Sequence, residues 1–226
     1  MKSACRHKSN NLDTAALATV DAAMHGALAL HHAGNYTEAL EQYDDILELY
    51  PDHLDALINS GLIVSHLGGL YDALLRLRRA VELEPDQARF HNNLGSALES
   101  GGLLTQGEAS LERAVGLDPS LAEARVNLGN VLQKLGKYGD APACYGAALA
   151  LAPDNAATHN NLGNALLASG KPDQAMASYG TALDLAPGYA ETLNNMGILH
   201  MRQGAFADAI GLFRDAIAAE PEFANA

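Results

Sequence analysis

Residues 122–155 read AEARVNLGNVLQKLGKYGDAPACYGAALALAPDN, and the plan of this 34-residue stretch recurs along the chain. Its proline belongs to a series in which neighbouring members are always 34 residues apart: Pro51, Pro85, Pro119, Pro153, Pro187 and Pro221. Self-similarity at one fixed period indicates a repeat architecture. With this proline as position 32, the repeats are 20–53, 54–87, 88–121, 122–155, 156–189 and 190–223. Residues 1–19 then form a tail and the start of the first helix, and residues 224–226 are a truncated continuation.

Other columns of the repeat predict two helices in each unit. Position 15 is always glycine, which suits a left-handed residue that ends the first helix, and the proline suits the end of the second helix. Positions 8 and 20 are always Gly or Ala, so they would mark the point where the two helices cross. Position 24 holds Tyr, Leu or Phe and would fill the larger gaps. Because one hairpin cannot bury its apolar face alone, we predict an all-α stack of six hairpins.

The motif residues of the fourth unit are Leu128-Gly129, Leu132, Ala141, Tyr145 and Pro153. With these residues in register, the chain resembles a tetratricopeptide repeat array over residues 20–223. The resemblance implies an α-solenoid that winds as a right-handed superhelix, with the first helix of each pair lining a concave groove. The strings His91-Asn92-Asn93 and His159-Asn160-Asn161 are similar to the repeats of O-linked N-acetylglucosamine transferases.

Composition excludes several classes of partner. The net charge of -13, from 14 Lys and Arg against 27 Asp and Glu, would repel nucleic acid and an anionic membrane surface. No stretch is apolar for long enough to be a signal sequence or a membrane span. Cys5 and Cys144 form neither a disulfide framework nor a metal-binding spacing. We therefore expect a cytoplasmic protein without a cofactor that contacts neither nucleic acid nor membrane.

The candidate functional residues are asparagines. Position 6 holds Asn59, Asn93, Asn127, Asn161 and Asn195. At about 100° per residue, positions 2, 6, 9 and 13 share the helix face opposite the packing positions, and position 9 adds Asn130 and Asn164 to that face. A carboxamide offers donors and an acceptor, so it pairs with the N–H and C=O of an extended backbone. We predict that these seven residues bind a peptide, as the asparagine ladder in the resembling transferases implies.

Other interpretations of the polar residues are open or disfavoured. The asparagines could bond to neighbouring helices or to water and contribute only solubility and register. Arg89, Lys134 and Arg202 are scattered among acidic residues on the groove face, which disfavours a clamp for a carboxylate. His31 and His32 point about 100° apart and lack a third ligand, which disfavours a metal site. Since no nucleophile stands beside a base, we predict no catalytic activity.

We predict a protein–protein interaction scaffold that binds an extended peptide segment through the asparagine ladder. The alternative is the substrate-recognition arm of a larger enzyme, such as a glycosyltransferase, whose catalytic part is absent. The beginning of the first helix predicts an N-cap at Asp13. Residues 221–226 are similar to the opening of a seventh repeat without a capping helix. This end predicts either a fragment of a longer protein or a homo-oligomer formed through the uncapped C-terminal repeat.

Overall fold

The computed structural model describes residues 19–221, and within this range it contains twelve α-helices and no strand. The helices are α1 (residues 19–32), α2 (Tyr36–Leu49), α3 (Leu54–His66), α4 (Leu70–Leu83), α5 (Ala88–Ser100), α6 (Leu104–Leu117), α7 (Ala122–Lys134), α8 (Ala141–Leu151), α9 (Ala156–Ala168), α10 (Pro172–Leu185), α11 (Ala190–Arg202) and α12 (Phe206–Ala219). The all-α repeat fold predicted from the sequence period is confirmed. The cap predicted at Asp13 and the continuation predicted after Pro221 lie outside the described residues.

The chain divides into two compact units, Met1–Gly102 and Leu103–Ala226, which the sequence period does not predict. In the first unit, α1 packs on α2 around a buried cluster, α3 packs on α4, and α4 packs on α5. In the second unit, α7, α9 and α11 each pack on the helix that follows them. In that unit α7 also contacts α9, and α9 also contacts α11, so these three first helices form a continuous layer.

Glycine ends the first helix of each pair. The position-15 glycines have φ between 73° and 86°, and no other described residue has a positive φ. At Gly136 the turn is closed by bonds from Gly136 N to Gln133 O and from Lys137 N to Leu132 O, both 2.9 Å long. A left-handed residue with a Cβ costs roughly 1–2 kcal/mol, and glycine avoids that cost. The prediction for position 15 is confirmed.

Position 8 is small because the side chain at position 24 lies directly against it. A Cβ added to Gly163 would lie 2.4 Å from Cε1 of Tyr179, and one added to Gly129 would lie 2.7 Å from Cε1 of Tyr145. Both tyrosines are fully buried. The close approach at the centre of these hairpins is therefore between a helix backbone and an aromatic ring. Small residues are needed at the predicted crossing point because the ring packs directly on the backbone there.

Helix α8 is shorter than the other second helices, which all begin at position 17 of the repeat. It begins at Ala141, and residues 138–140 form a turn. Pro142 is the second residue of this helix. Proline lacks an N–H and is tolerated only in the first turn of a helix. Helix α8 therefore begins later in its repeat than the other second helices, which places Pro142 in its first turn.

Candidate functional site

The position-6 asparagines are half-buried in both units. In the first unit, Asn59 donates from Nδ2 to the carbonyl oxygen of Asp55 at 2.8 Å, a bond within its own helix. Asn93 lies at the same position of α5. In the second unit, Asn127, Asn161 and Asn195 lie on α7, α9 and α11, the three first helices that contact one another. The second unit therefore carries three successive members of the column.

Helix α7 is linked to α9 and to its own partner α8 through Asn130. The hydroxyl of Tyr145 donates to Asn130 Oδ1 at 2.7 Å and accepts a bond from Gln133 Nε2 at 2.6 Å. Asn161 donates from Nδ2 to the same Asn130 Oδ1 at 3.4 Å. One carbonyl oxygen at position 9 thus joins the tyrosine of its own repeat to the position-6 asparagine of the next repeat.

The same arrangement recurs one repeat later. The hydroxyl of Tyr179 donates to Asn164 Oδ1 at 2.6 Å, and Asn195 donates from Nδ2 to Asn164 Oδ1 at 3.0 Å. Burial raises the pKa of Tyr179 to about 12, with a further rise from the charge of Glu191 and a smaller opposing effect of Arg202. The hydroxyl therefore keeps its proton, and its role as a donor, well above neutral pH.

A third asparagine extends this network towards a carboxylate. Asn160 is fully buried, and its Oδ1 accepts bonds from Thr192 Oγ1 and from Asn195 Nδ2, both at 3.1 Å. Its Nδ2 donates to Glu191 Oε1 at 2.9 Å, and the hydroxyl of Tyr189 lies 3.3 Å from Glu191 Oε2. No column of the repeat predicts a role for Asn160, and the adjacent pair Asn160-Asn161 is its only signal in the sequence.

An open cavity of about 260 Å³ lies beside Asn161, between α7 and α9. Its lining includes Glu123, Val126, Ala148, Ala157, Thr158 and Asn161. The walls are mostly apolar, and Glu123 is exposed at the rim. The cavity is therefore large enough to admit an aliphatic side chain next to a position-6 amide.

The structure places the predicted site residues in two separate groups. Asn127, Asn130, Asn161, Asn164 and Asn195 all lie in the second unit, whereas Asn59 and Asn93 lie in the first. The interhelical bonds of Asn161 and Asn195 agree with the alternative that these amides support packing between repeats. These bonds use only Nδ2 of each amide. Oδ1 of Asn161 and Oδ1 of Asn195 receive no hydrogen bond from the part of the protein that is described.

The histidines at position 4 have a structural partner. His91 Nε2 lies 2.8 Å from the carbonyl oxygen of Pro85, and His159 Nε2 lies 2.9 Å from that of Pro153. Arg125, at the same position, donates to the carbonyl oxygen of its own preceding proline. Among residues 19–221, no group of three or more His, Cys, Asp or Glu side chains is placed to hold a metal ion.

Two surface features bear on partners. In the described range no helix is both long and apolar enough to cross a membrane. Helix α12 exposes Phe206, Ile210 and Ile217, with exposed fractions of 63%, 51% and 46%. These side chains lie on the last described hairpin, where the sequence predicts self-association, and that association stays a prediction.

Comparison with known proteins agrees with the observed fold. A family model described as tetratricopeptide repeat matches residues 8–64 and 65–122, and two more with the same description match residues 120–187 and 166–226. A search of curated proteins gave no match.

Several solved structures are similar to this chain. PilF of Pseudomonas aeruginosa is 20% identical over 89% of this chain and 92% of its own, with a TM-score of 0.77. MamA of Desulfovibrio magneticus RS-1 is 21% identical over 75% and 96%, with a TM-score of 0.68. YrrB, described as a TPR protein with an unusual peptide-binding site, is 21% identical over 79% and 92%, with a TM-score of 0.64. At these identities the likeness shows the fold alone, while the family models cover more than half of the sequence. The chain belongs to the tetratricopeptide repeat family.

Proposed function

We propose that this protein binds an extended peptide segment of another protein on the layer formed by α7, α9 and α11. The asparagines of that layer are Asn127, Asn130, Asn161, Asn164 and Asn195. Asn59 and Asn93 occupy the equivalent position in the first unit and are proposed to contact a peptide there. The observation that carries the proposal is the row of half-buried amides on these helices, in which Asn130, Asn161, Asn164 and Asn195 each keep one polar atom without a bond from the described protein.

The spacing of the row supports this function. Neighbouring packed helices lie roughly 8–10 Å apart, and an extended chain advances about 3.3 Å per residue. Successive position-6 residues would therefore meet about every third residue of a peptide. The cavity beside Asn161 would accept one of its side chains. YrrB, which shares the fold, is described as a TPR protein with an unusual peptide-binding site. That description concerns YrrB and does not identify binding residues in this chain.

The expected affinity is modest. Each hydrogen bond contributes about 0.5–1.5 kcal/mol net, and association costs about 4–15 kcal/mol. A row of amide contacts then gives micromolar or weaker binding unless apolar side chains of the partner also enter the layer.

The test begins with a phage-displayed library of random linear peptides selected on the full chain. Synthetic copies of the selected peptides are then titrated by fluorescence anisotropy against the wild type and the triple variant Asn127→Ala, Asn161→Ala, Asn195→Ala. Loss of three contacts should weaken binding by at least about tenfold. If none of the selected peptides is weakened, the layer is not the binding site and the proposal is wrong.

The control separates lost contacts from lost stability. Removing Asn161 and Asn195 also removes their bonds to neighbouring helices, at about 0.5–1.5 kcal/mol for each bond. Ala177 is exposed on α10, and Ala177→Gly lowers stability by roughly 1 kcal/mol through helix propensity. This control should keep wild-type affinity. Circular dichroism confirms that both variants remain helical.

A further inference from the structure

We propose that the asparagines of the second unit form two pairs of fixed polarity, Asn130 with Asn161 and Asn164 with Asn195, and that these pairs read the direction of the bound backbone. Tyr145 and Tyr179 are the positioning residues that hold the amides in this sense. The inference rests on the proposed function and adds to it the rule by which a partner segment is recognised.

Glu191 fixes the orientation of the second pair. An ionised carboxylate only accepts hydrogen bonds, so Asn160 must turn its Nδ2 to Glu191 and its Oδ1 the other way. That oxygen accepts from Asn195, which must therefore present its Nδ2. The two hydrogens of this Nδ2 are directed at Asn160 and Asn164, so Asn195 has only its oxygen left for a ligand.

The tyrosines fix the other member of each pair. Tyr179 donates its hydroxyl hydrogen to Asn164 Oδ1, and Tyr145 donates to Asn130 Oδ1. Each of these oxygens also accepts from the position-6 asparagine of the next repeat. Turning the amide of Asn130 or Asn164 over would place its N–H₂ group against the N–H₂ group of the position-6 asparagine that donates to it. The amides therefore cannot reverse independently of their tyrosines.

Each pair consequently offers a partner one donor and one acceptor in the same order. The donor is Nδ2 of Asn130 or Asn164, and the acceptor is Oδ1 of Asn161 or Asn195; none of these atoms has a bond within the described chain. Each residue of an extended peptide presents one N–H and one C=O. Reversing the peptide exchanges the order in which these groups meet the pair. Only one direction satisfies both members of both pairs.

Tyr43 provides a matched control for the two tyrosines. It occupies the same repeat position, and it is fully buried like Tyr145 and Tyr179. Its hydroxyl has no hydrogen-bond partner. Position 9 of its repeat is Leu28, so no amide is available to orient. Tyr43→Phe therefore removes a buried hydroxyl without disturbing any asparagine.

The direction is measured by NMR with a nitroxide at either end of a display-selected peptide bound to the ¹⁵N-labelled full chain. In the wild type, the amino-terminal label should broaden signals at one edge of the layer and the carboxyl-terminal label signals at the other. In the double variant Tyr145→Phe, Tyr179→Phe, both labels should broaden both edges, and affinity should fall by about tenfold. Tyr43→Phe should behave as the wild type.

A second variant tests the same idea with less risk to packing. Glu191→Gln replaces an acceptor by a group that also donates, so Asn160 and Asn195 are no longer held in one sense. Directional preference should weaken while helicity is kept. In the free wild-type chain, the side-chain N–H₂ of Asn195 should exchange slowly with solvent, and it should exchange faster in Tyr179→Phe.

The outcomes separate the two proposals. Peptides that need the asparagines but bind the wild type in both directions would overturn the directional reading and leave the proposed function standing. A preference that survives in both Tyr145→Phe, Tyr179→Phe and Glu191→Gln would overturn the positioning roles. If no selected peptide depends on the asparagines, the proposed function fails and the directional reading fails with it.

Discussion

Gly163→Ala tests the close contact between a helix backbone and the ring that also orients the amides. The added methyl group would lie 2.4 Å from Cε1 and 2.6 Å from Cδ1 of Tyr179. That ring is fully buried, and its hydroxyl is bonded to Asn164. It therefore has no open space to move into, and the two helices must separate or the ring must leave its rotamer.

The expected loss of stability is a difference between two effects. Overpacking of a core costs typically about 1–3 kcal/mol, and the rigid, tethered ring places this case near the upper limit. Replacing Gly by Ala within a helix returns about 1 kcal/mol of propensity. The net change is a destabilisation of about 1–2 kcal/mol. Gly180→Ala is the matched control, because its added methyl meets no atom within 4 Å and α10 should gain the propensity alone.

Urea unfolding followed by circular dichroism compares the two variants with the wild type. Gly163→Ala should lower the unfolding midpoint and Gly180→Ala should raise it, a separation of about 2–3 kcal/mol. Tyr179→Leu should reduce the clash, because a Cβ added to Gly61 would lie 3.0 Å from Leu77 at the same repeat position, so Gly163→Ala should cost less in that background. The reasoning is refuted if Gly163→Ala is as stable as Gly180→Ala.

Two further predictions concern single residues. The pKa of Tyr179 is raised from 10.0 to about 12, so its contribution to stability is complete below pH 10 and is lost as the pH rises towards 12. Over that range in urea titrations, Tyr179→Phe should lose about 1–2 kcal/mol less stability than the wild type, and equal losses in the two proteins would contradict this. Gly136→Ala should destabilise the chain by about 1–2 kcal/mol, because φ of Gly136 is 74°. Gly139→Ala, in the following turn, should be nearly neutral, because φ of Gly139 is not positive and its added methyl meets no atom within 4 Å. Equal losses of stability for the two variants in thermal melts would contradict the backbone argument.

The features that could be predicted from sequence are those imposed by local chemistry. The glycine at position 15 is needed for a left-handed turn wherever the chain leaves the first helix, so its column marks that end in each repeat. The period then locates the helices, and α7, α9 and α11 begin at position 1 of their repeats. A proline within a helical segment likewise predicts a helix start close to Pro142. It does not predict that α8 begins later in its repeat than the other second helices do.

The orientation of the amides could not be predicted in this way. Helical periodicity places Asn161 and Asn195 on the face away from the core, and their half-buried state agrees with that placement. Which atom each amide presents depends on partners 31 or 35 residues away. The burial of Asn160 could not be predicted either, because this polar residue is buried by contacts with the next repeat, including its bond to Glu191, and not by the periodicity of its own helix. Nor does a uniform period reveal where the contacts divide the chain into two units.

Positions 9 and 24 together decide which repeats hold oriented amides. Tyrosine at position 24 and asparagine at position 9 occur together only in the fourth and fifth repeats, as Tyr145 with Asn130 and Tyr179 with Asn164. The first repeat keeps the tyrosine but not the asparagine, and the hydroxyl of its Tyr43 is left without a partner.

The side chain that fills the core against a glycine is, in those two repeats, also the one that fixes a surface amide. If the proposed function is correct, core packing and peptide recognition both depend on the same tyrosine. A substitution such as Gly163→Ala that displaces the Tyr179 ring must therefore disturb the proposed binding layer as well as the core. Loss of the hydroxyl alone, as in Tyr179→Phe, should disturb the proposed layer and leave the ring in place.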